Sequence, residues 1–281
     1  MMYYGLIVTA TVLFSLQFVF NSGYERECGS GWPVARNFAL ITGVIGGVYA
    51  FALNGFRWEF SWFSLALAAA SAINNLLYTY STIKALAVAN LSLYSMFAML
   101  GGMILPYLFG LCRGEDFQWT GLVCCLLIAA SLLLTVKKGE SRKGALKYYL
   151  AVFITNGLSG VIAVIHQSGK DAVSGNAYVM LSRIVLVAVC LVFLLADKNR
   201  TFRHSGKALA FATGYSLFAT TGNVLLLLAL LHIPATVQYP IVTGGVIVLS
   251  AVVDRLRRET VTKKTWLAVG IAFAASVVIA L

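Results

Sequence analysis

Apolar runs of about 20 residues follow one another along almost the whole chain, separated by short clusters of charged residues, Gly or Pro. About 20 apolar residues form an α-helix long enough to cross the hydrocarbon core of a bilayer. We predict ten such spans, at residues 2–22, 34–54, 60–80, 86–110, 117–136, 147–167, 176–196, 207–229, 233–253 and 265–281. The sequence therefore predicts an all-α integral membrane protein with ten transmembrane helices.

Charged residues are scarce and lie mainly between the apolar runs. Only 11% of the 281 residues are charged and 60% are hydrophobic, whereas soluble domains have roughly 25% charged residues. The net charge of +11 arises from Lys and Arg in short loops rather than on one face, so it indicates orientation in an anionic membrane rather than nucleic-acid binding. We expect the lipid bilayer and a small-molecule substrate as partners, and a monomer or homodimer.

The most polar connection, residues 137–143, has five predicted spans on either side. We predict two related halves there, residues 1–138 and 145–281. Because each half has an odd number of spans, the two copies must be inverted relative to each other. Inverted repeats are a common plan of secondary transporters, which bind substrate near the bilayer midplane where the repeats meet.

An internal repeat of amide side chains supports the two halves. Asn90 follows Asn75 by fifteen residues, and Gln238 follows Asn223 by the same interval. We predict that these four side chains face a shared central cavity. Amides can bind polar cargo without the desolvation penalty of a fixed charge.

The second half contains a recognisable segment. Residues 229–251, ALLHIPATVQYPIVTGGVIVLSA, are followed by Arg258, Glu259 and a last apolar run. This segment resembles the hallmark region of the drug/metabolite transporter superfamily, and ten helices in two halves resemble its EamA-like branch. The resemblance implies transport of a small metabolite or drug-like compound by alternating access, with efflux as the expected direction. The alternative is a membrane scaffold, lipid-handling protein or accessory subunit that transports nothing.

Motifs for enzymes and energy-transducing pumps are missing from the sequence. There is no GxxxxGK[ST] loop for phosphates, no HExxH for zinc and no GxSxG nucleophile elbow. The five cysteines show no CxxC spacing, and the three histidines fall near predicted span ends, where we expect them to be solvated. We therefore expect no catalytic activity, no metal and no cofactor.

Polar side chains inside the spans are the candidates for substrate binding, because each must find a partner where water is absent. The alternative for any one of them is a hydrogen bond between helices. The candidate substrate-binding residues are Asn75, Tyr78, Asn90, Tyr94, Asn156, Arg183, Asn223, Gln238, Tyr239 and Thr243.

Charged groups within the spans bear on the cargo. Arg183 is the one basic residue well inside a span, and it could bind a substrate carboxylate or phosphate or extend its stem toward the interface. All ten acidic residues fall in loops or near helix ends. The only acid or amide side chain in the interior of the first span is Gln17, which cannot titrate. We therefore expect facilitated diffusion or exchange of neutral, zwitterionic or anionic cargo.

Basic residues also predict orientation. Of the 21 Lys and Arg residues, 17 are counted with the loops that follow odd-numbered spans, three (Arg57, Arg113 and Lys170) follow even-numbered spans, and Arg183 lies inside a span. The positive-inside rule then places both termini outside the cytoplasm. Ten-helix members of the superfamily that the chain resembles are usually drawn the other way round. The expected location is the plasma membrane of a bacterium.

Overall fold

The computed structural model describes residues 2–87, 91–114, 145–197, 205–256 and 263–280, with residues 119, 122, 123, 126, 127 and 130. Long helices dominate this part of the chain. They are α1 (Met2–Cys28), α2 (Trp32–Leu53), α3 (Trp62–Leu86), α4 (Leu91–Cys112), α5 (Ala145–Gln167), α6 (Gly175–Ala196), α7 (Gly206–Leu230), α8 (Ala235–Leu256) and α9 (Lys263–Ala280). Asn90, residues 131–144 and most of the span predicted at 117–136 lie outside the described residues.

Within the described residues, six helices are long and apolar enough to cross a membrane. They are Met2–Cys28, Trp32–Leu53, Leu146–Gln167, Gly175–Ala196, Gly206–Leu230 and Ala235–Val253. Helix α3 is long enough too, but Asn74 and Asn75 lower its hydropathy. The prediction of an all-α, multi-pass membrane protein is confirmed, whereas ten spans and an inverted repeat stay predictions.

Helix ends differ from the predicted span ends. Helix α1 continues to Cys28 and α3 to Leu86, whereas the predicted spans stop at residues 22 and 80. A helix does not end where the hydrocarbon ends, because its hydrogen bonds continue into polar surroundings. Three helix starts are capped by serine hydroxyls that accept a backbone N–H three residues on: Ser61, Ser174 and Ser205.

The helices before residue 114 pack mainly against those after residue 145. Helix α1 packs on α7 and α8, α4 on α5 and α8, α2 on α6 and α7, and α3 on α5 and α6. The α4–α5 contact is especially close, because a Cβ on Gly157 would lie 2.6 Å from the Gly101 carbonyl oxygen. The two parts of the sequence are thus interleaved in one bundle.

Helices α2 and α6 are tied together at both ends. At one end Arg36 of α2 forms an ion pair with Asp197, which follows α6. At the other, Asn176 Nδ2 of α6 donates to the Leu53 carbonyl of α2 at 3.1 Å. The charge count treats Arg36 as one of the basic loop residues that follow the first span, and this was wrong, because Arg36 is fully buried in the first turns of α2.

The loop between α2 and α3 is held against the start of α6. Ser174 donates to the Glu59 carboxylate from its backbone N–H and from its hydroxyl, both at 2.8 Å. These hydrogen bonds, the backbone one above all, hold the pKa of Glu59 below its usual value, against a smaller opposing effect of burial.

Candidate functional site

A cavity of about 180 Å³ lies inside the bundle. Its wall is built by α1, α3, α4, α5, α6, α7 and α8, so helices from both sides of residues 131–144 contribute to it. The wall combines apolar side chains such as Phe14 and Leu226 with hydroxyls, amides and one guanidinium. A mainly apolar pocket with a few polar side chains suits a small ligand with a polar group.

Most of the predicted binding residues meet at this cavity. The seven that line it are Asn75, Tyr78, Asn156, Arg183, Asn223, Tyr239 and Thr243. They come from five helices and are far apart in sequence. Their role in binding a substrate stays a prediction.

The other three candidates do not line the cavity. Tyr94 is buried behind it, with its hydroxyl 2.7 Å from that of Tyr78. Asn90 lies outside the described residues. Gln238 is fully buried away from the cavity and its Nε2 donates to the Leu226 carbonyl at 2.9 Å. The expectation that Gln238 faces the cavity was wrong, because its position on α8 turns it toward the α7 backbone.

Several lining side chains already donate a hydrogen bond to a backbone carbonyl of the protein. Asn223 Nδ2 donates within its own helix to the Ala219 carbonyl at 2.7 Å. Three others donate to neighbouring helices: Asn156 to the Ala98 carbonyl (2.6 Å), Thr243 to the Met99 carbonyl (3.2 Å) and Tyr239 to the Gly160 carbonyl (3.3 Å). Asn156, Thr243 and Tyr239 therefore join helices of the cavity wall, as the alternative interpretation from the sequence proposed.

Arg183 projects into the cavity wall rather than toward an interface. Only 8% of it is exposed, and no hydrogen bond or ion pair joins its guanidinium to the described residues. A Cβ on Gly46 of α2 would lie 3.4 Å from Arg183 Nε and 2.9 Å from the hydroxyl oxygens of Ser216 and Thr220. The missing side chain at Gly46 thus makes room for the arginine between α2 and α7.

The cavity also has polar residues that the sequence did not single out as binding residues. These are Gln17, Ser71, Ser159, Tyr178, Ser182 and Tyr215. They lie inside apolar runs, which was the available signal, but they do not repeat at equal intervals in the two halves. Gln17 Oε1 is buried and has no hydrogen-bond partner among the residues that the structure describes.

One histidine departs from the expectation of solvated rings. His166 is fully buried, and its Nε2 lies 3.0 Å from Ser64 Oγ. Its ring stacks on Tyr178 with the centroids 3.9 Å apart. The end of α5 is covered by α3 and α6, so a residue near a helix end is buried here. His232 is exposed at the surface, as expected, and His204 lies outside the described residues.

Comparisons with known proteins give information on the fold alone. No protein-family model and no curated protein matches the sequence. A solved structure described only as "Crystal structure of protein" is similar, with a TM-score of 0.67 and 14% sequence identity over 97% of this chain and 94% of that chain. Fold and hydropathy together define an all-α, multi-pass membrane protein.

Proposed function

We propose that this protein is a transporter that carries a small molecule through the membrane by alternating access. The observation that carries the proposal is the central cavity, whose wall combines Asn75 of α3, Asn223 of α7 and Arg183 of α6 inside an apolar bundle. Polar side chains in a membrane interior are energetically costly, and in membrane proteins they commonly mark substrate or ion pathways. A site between helices, near the middle of the bundle, suits a ligand that must be released to either side.

The packing of the helices supports two inverted five-helix halves. If α1 to α4 correspond to α5 to α8, the α1–α7 contact matches α3–α5, and α1–α8 matches α4–α5. The α2–α7 contact likewise matches α3–α6, and the α2–α6 and α4–α8 contacts each match themselves. A pseudo-twofold axis accounts for this pattern. Two such halves can rock around a fixed site, as alternating access requires.

We place the protein in the plasma membrane and infer efflux as its direction, in keeping with the resemblance to EamA-like transporters. Within the described part of the wall, no Asp, Glu or His lines the cavity. Facilitated diffusion or exchange is therefore the simplest mechanism, because proton relays use such groups inside the bundle.

Flux across sealed proteoliposomes tests the proposal. Metabolites that raise the melting temperature of the purified protein serve as radiolabelled probes, and we expect protein-dependent uptake that saturates. Asn75→Ala should reduce uptake, whereas Thr9→Ala should not, because Thr9 is exposed on α1 and its hydroxyl donates to the Gly5 carbonyl of its own helix. Ligand binding without flux in any gradient or exchange condition would overturn transport and favour a non-transporting role.

A further inference from the structure

The cavity carries a single formal charge among the lining residues that the structure describes. Its wall includes Arg183 but no Asp, Glu, Lys or His. A guanidinium stays protonated inside proteins. The unliganded cavity therefore has a net charge of +1 in surroundings of low dielectric, where one uncompensated charge has a strong effect on any ligand.

Two buried arginines of this bundle differ in how they are satisfied. Arg36 Nη1 lies 2.6 Å from Asp197 Oδ2, and its Nε and Nη2 each lie 3.2 Å from Asn37 Oδ1. Arg183 is about as buried, and among the described residues its guanidinium has only an electrostatic neighbour, Tyr215. Burying an unpaired charge is unfavourable. An anion in the cavity would compensate it.

The rest of the wall limits the kind of anion. One cation is balanced by one negative charge, whereas a phosphate dianion would leave an excess charge in the bundle. The planar fork of a guanidinium matches a carboxylate, which can accept two parallel hydrogen bonds. Besides the polar groups, Phe14, Met99 and Leu226 line the cavity and offer apolar surface. A volume of about 180 Å³ has room for roughly a dozen water-sized groups.

We propose that the cargo is a small organic monocarboxylate, whose carboxylate pairs with Arg183 and whose apolar part contacts Phe14, Met99 and Leu226. The unpartnered Gln17 Oε1 accepts a hydrogen bond from a hydroxyl or amide group on the cargo. A zwitterion of the same size is disfavoured, because its ammonium adds a positive charge where no carboxylate belongs to the described part of the wall. This inference rests on the proposed transport function and specifies its substrate class.

Matched ligands test the charge selection directly. The full-length protein in detergent is titrated at constant pH and ionic strength with 3-phenylpropanoate, 3-phenylpropanamide and phenylalanine, and with further carboxylate and amide pairs of similar size. Thermal unfolding gives the affinities. We expect the carboxylates of at least one pair to bind at least tenfold more tightly than the amide and the zwitterion. No carboxylate binding across the set, or equal binding of amides, overturns the proposal.

Variants test whether Arg183 causes the preference for carboxylates over amides. Arg183→Gln should bring the carboxylate-to-amide ratio close to one, and Arg183→Lys, which keeps the charge without the planar fork, should lie between. Lys170→Gln, at an exposed loop lysine, should leave the ratio unchanged. If Arg183→Gln does not fold, the proposal is judged by the carboxylate-to-amide affinity ratios of the wild type and of Arg183→Lys. A carboxylate preference that survives Arg183→Gln overturns the proposal.

Uptake of the tightest carboxylate into proteoliposomes separates this inference from the proposed function. Carboxylate binding without flux would contradict the proposed transport function and leave the proposed anion site standing. Equal flux of amides and carboxylates would support the transport function and contradict the proposed anion site.

Discussion

Arg36 of α2 and Asp197, which follows α6, form an ion pair with Nη1 and Oδ2 2.6 Å apart. The arginine is fully buried, whereas 29% of the Asp197 side chain is exposed. Asp197→Asn removes the negative charge and leaves the guanidinium buried, so we expect a loss of about 2 kcal/mol of stability, less than for a fully buried pair. Thermal unfolding in detergent measures it. Asp171→Asn, at an exposed loop acid, is the control, and equal stability of both variants would contradict the prediction.

The two buried arginines should respond oppositely to removal of charge. Arg183→Met removes a guanidinium with no ion pair among the described residues, so the unliganded protein should keep its stability or gain about 1 kcal/mol. Arg36→Met removes a paired guanidinium and should lower stability. Both are compared by thermal unfolding without added carboxylates. A large loss for Arg183→Met would mean that the residue holds the bundle together rather than binding cargo.

Glu59 makes stability depend on pH in the acidic range. Its pKa is lower in the folded protein than in the unfolded chain, so its contribution to stability is complete above the unfolded value of about 4.3 and is lost as the pH falls through the folded value. Glu59→Gln removes the charge and should be less stable than wild type at neutral pH. The difference should shrink as the pH falls below the unfolded value and through the lower pKa of the folded protein. A gap in melting temperature that stays constant with pH would show that the charge of Glu59 is not involved.

The crossing of α4 and α5 depends on a residue without a side chain. A Cβ at Gly157 would lie 2.6 Å from the Gly101 carbonyl oxygen and 2.8 Å from Leu105 Cβ, so the helices must move apart in Gly157→Ala. We expect a loss of about 1–3 kcal/mol. Gly5→Ala in α1, where a Cβ meets nothing within 4 Å, should be neutral or slightly stabilising. Comparable melting temperatures would mean that the crossing adjusts without strain.

Orientation can be read with a C-terminal reporter that fluoresces only in the cytoplasm. The distribution of Lys and Arg predicts that both termini are outside, so cells with the full-length fusion should stay dark. A fusion truncated after residue 256, one helix earlier, is the control and should fluoresce. Bright full-length cells would reverse the orientation and agree with the ten-helix relatives of the superfamily that the sequence resembles.

Helix positions followed well from the sequence. A run such as residues 176–196 has few alternatives in a bilayer, because its backbone groups must bond within the run, and α6 indeed covers Gly175–Ala196. The presence of polar side chains inside the bundle was also predicted. Seven candidates that reach one cavity were chosen from polarity and repetition alone.

The direction in which each side chain points was decided by tertiary structure. Gln238 and Tyr239 are neighbours on α8, yet only Tyr239 lines the cavity, because adjacent helix positions are about 100° apart. Arg36 and Arg183 both lie inside helices, but Asp197, 161 positions from Arg36 in sequence, pairs with only one of them. Hydropathy is a property of a segment and can be summed along the sequence, whereas helix rotation and charge pairing arise only when distant segments pack together.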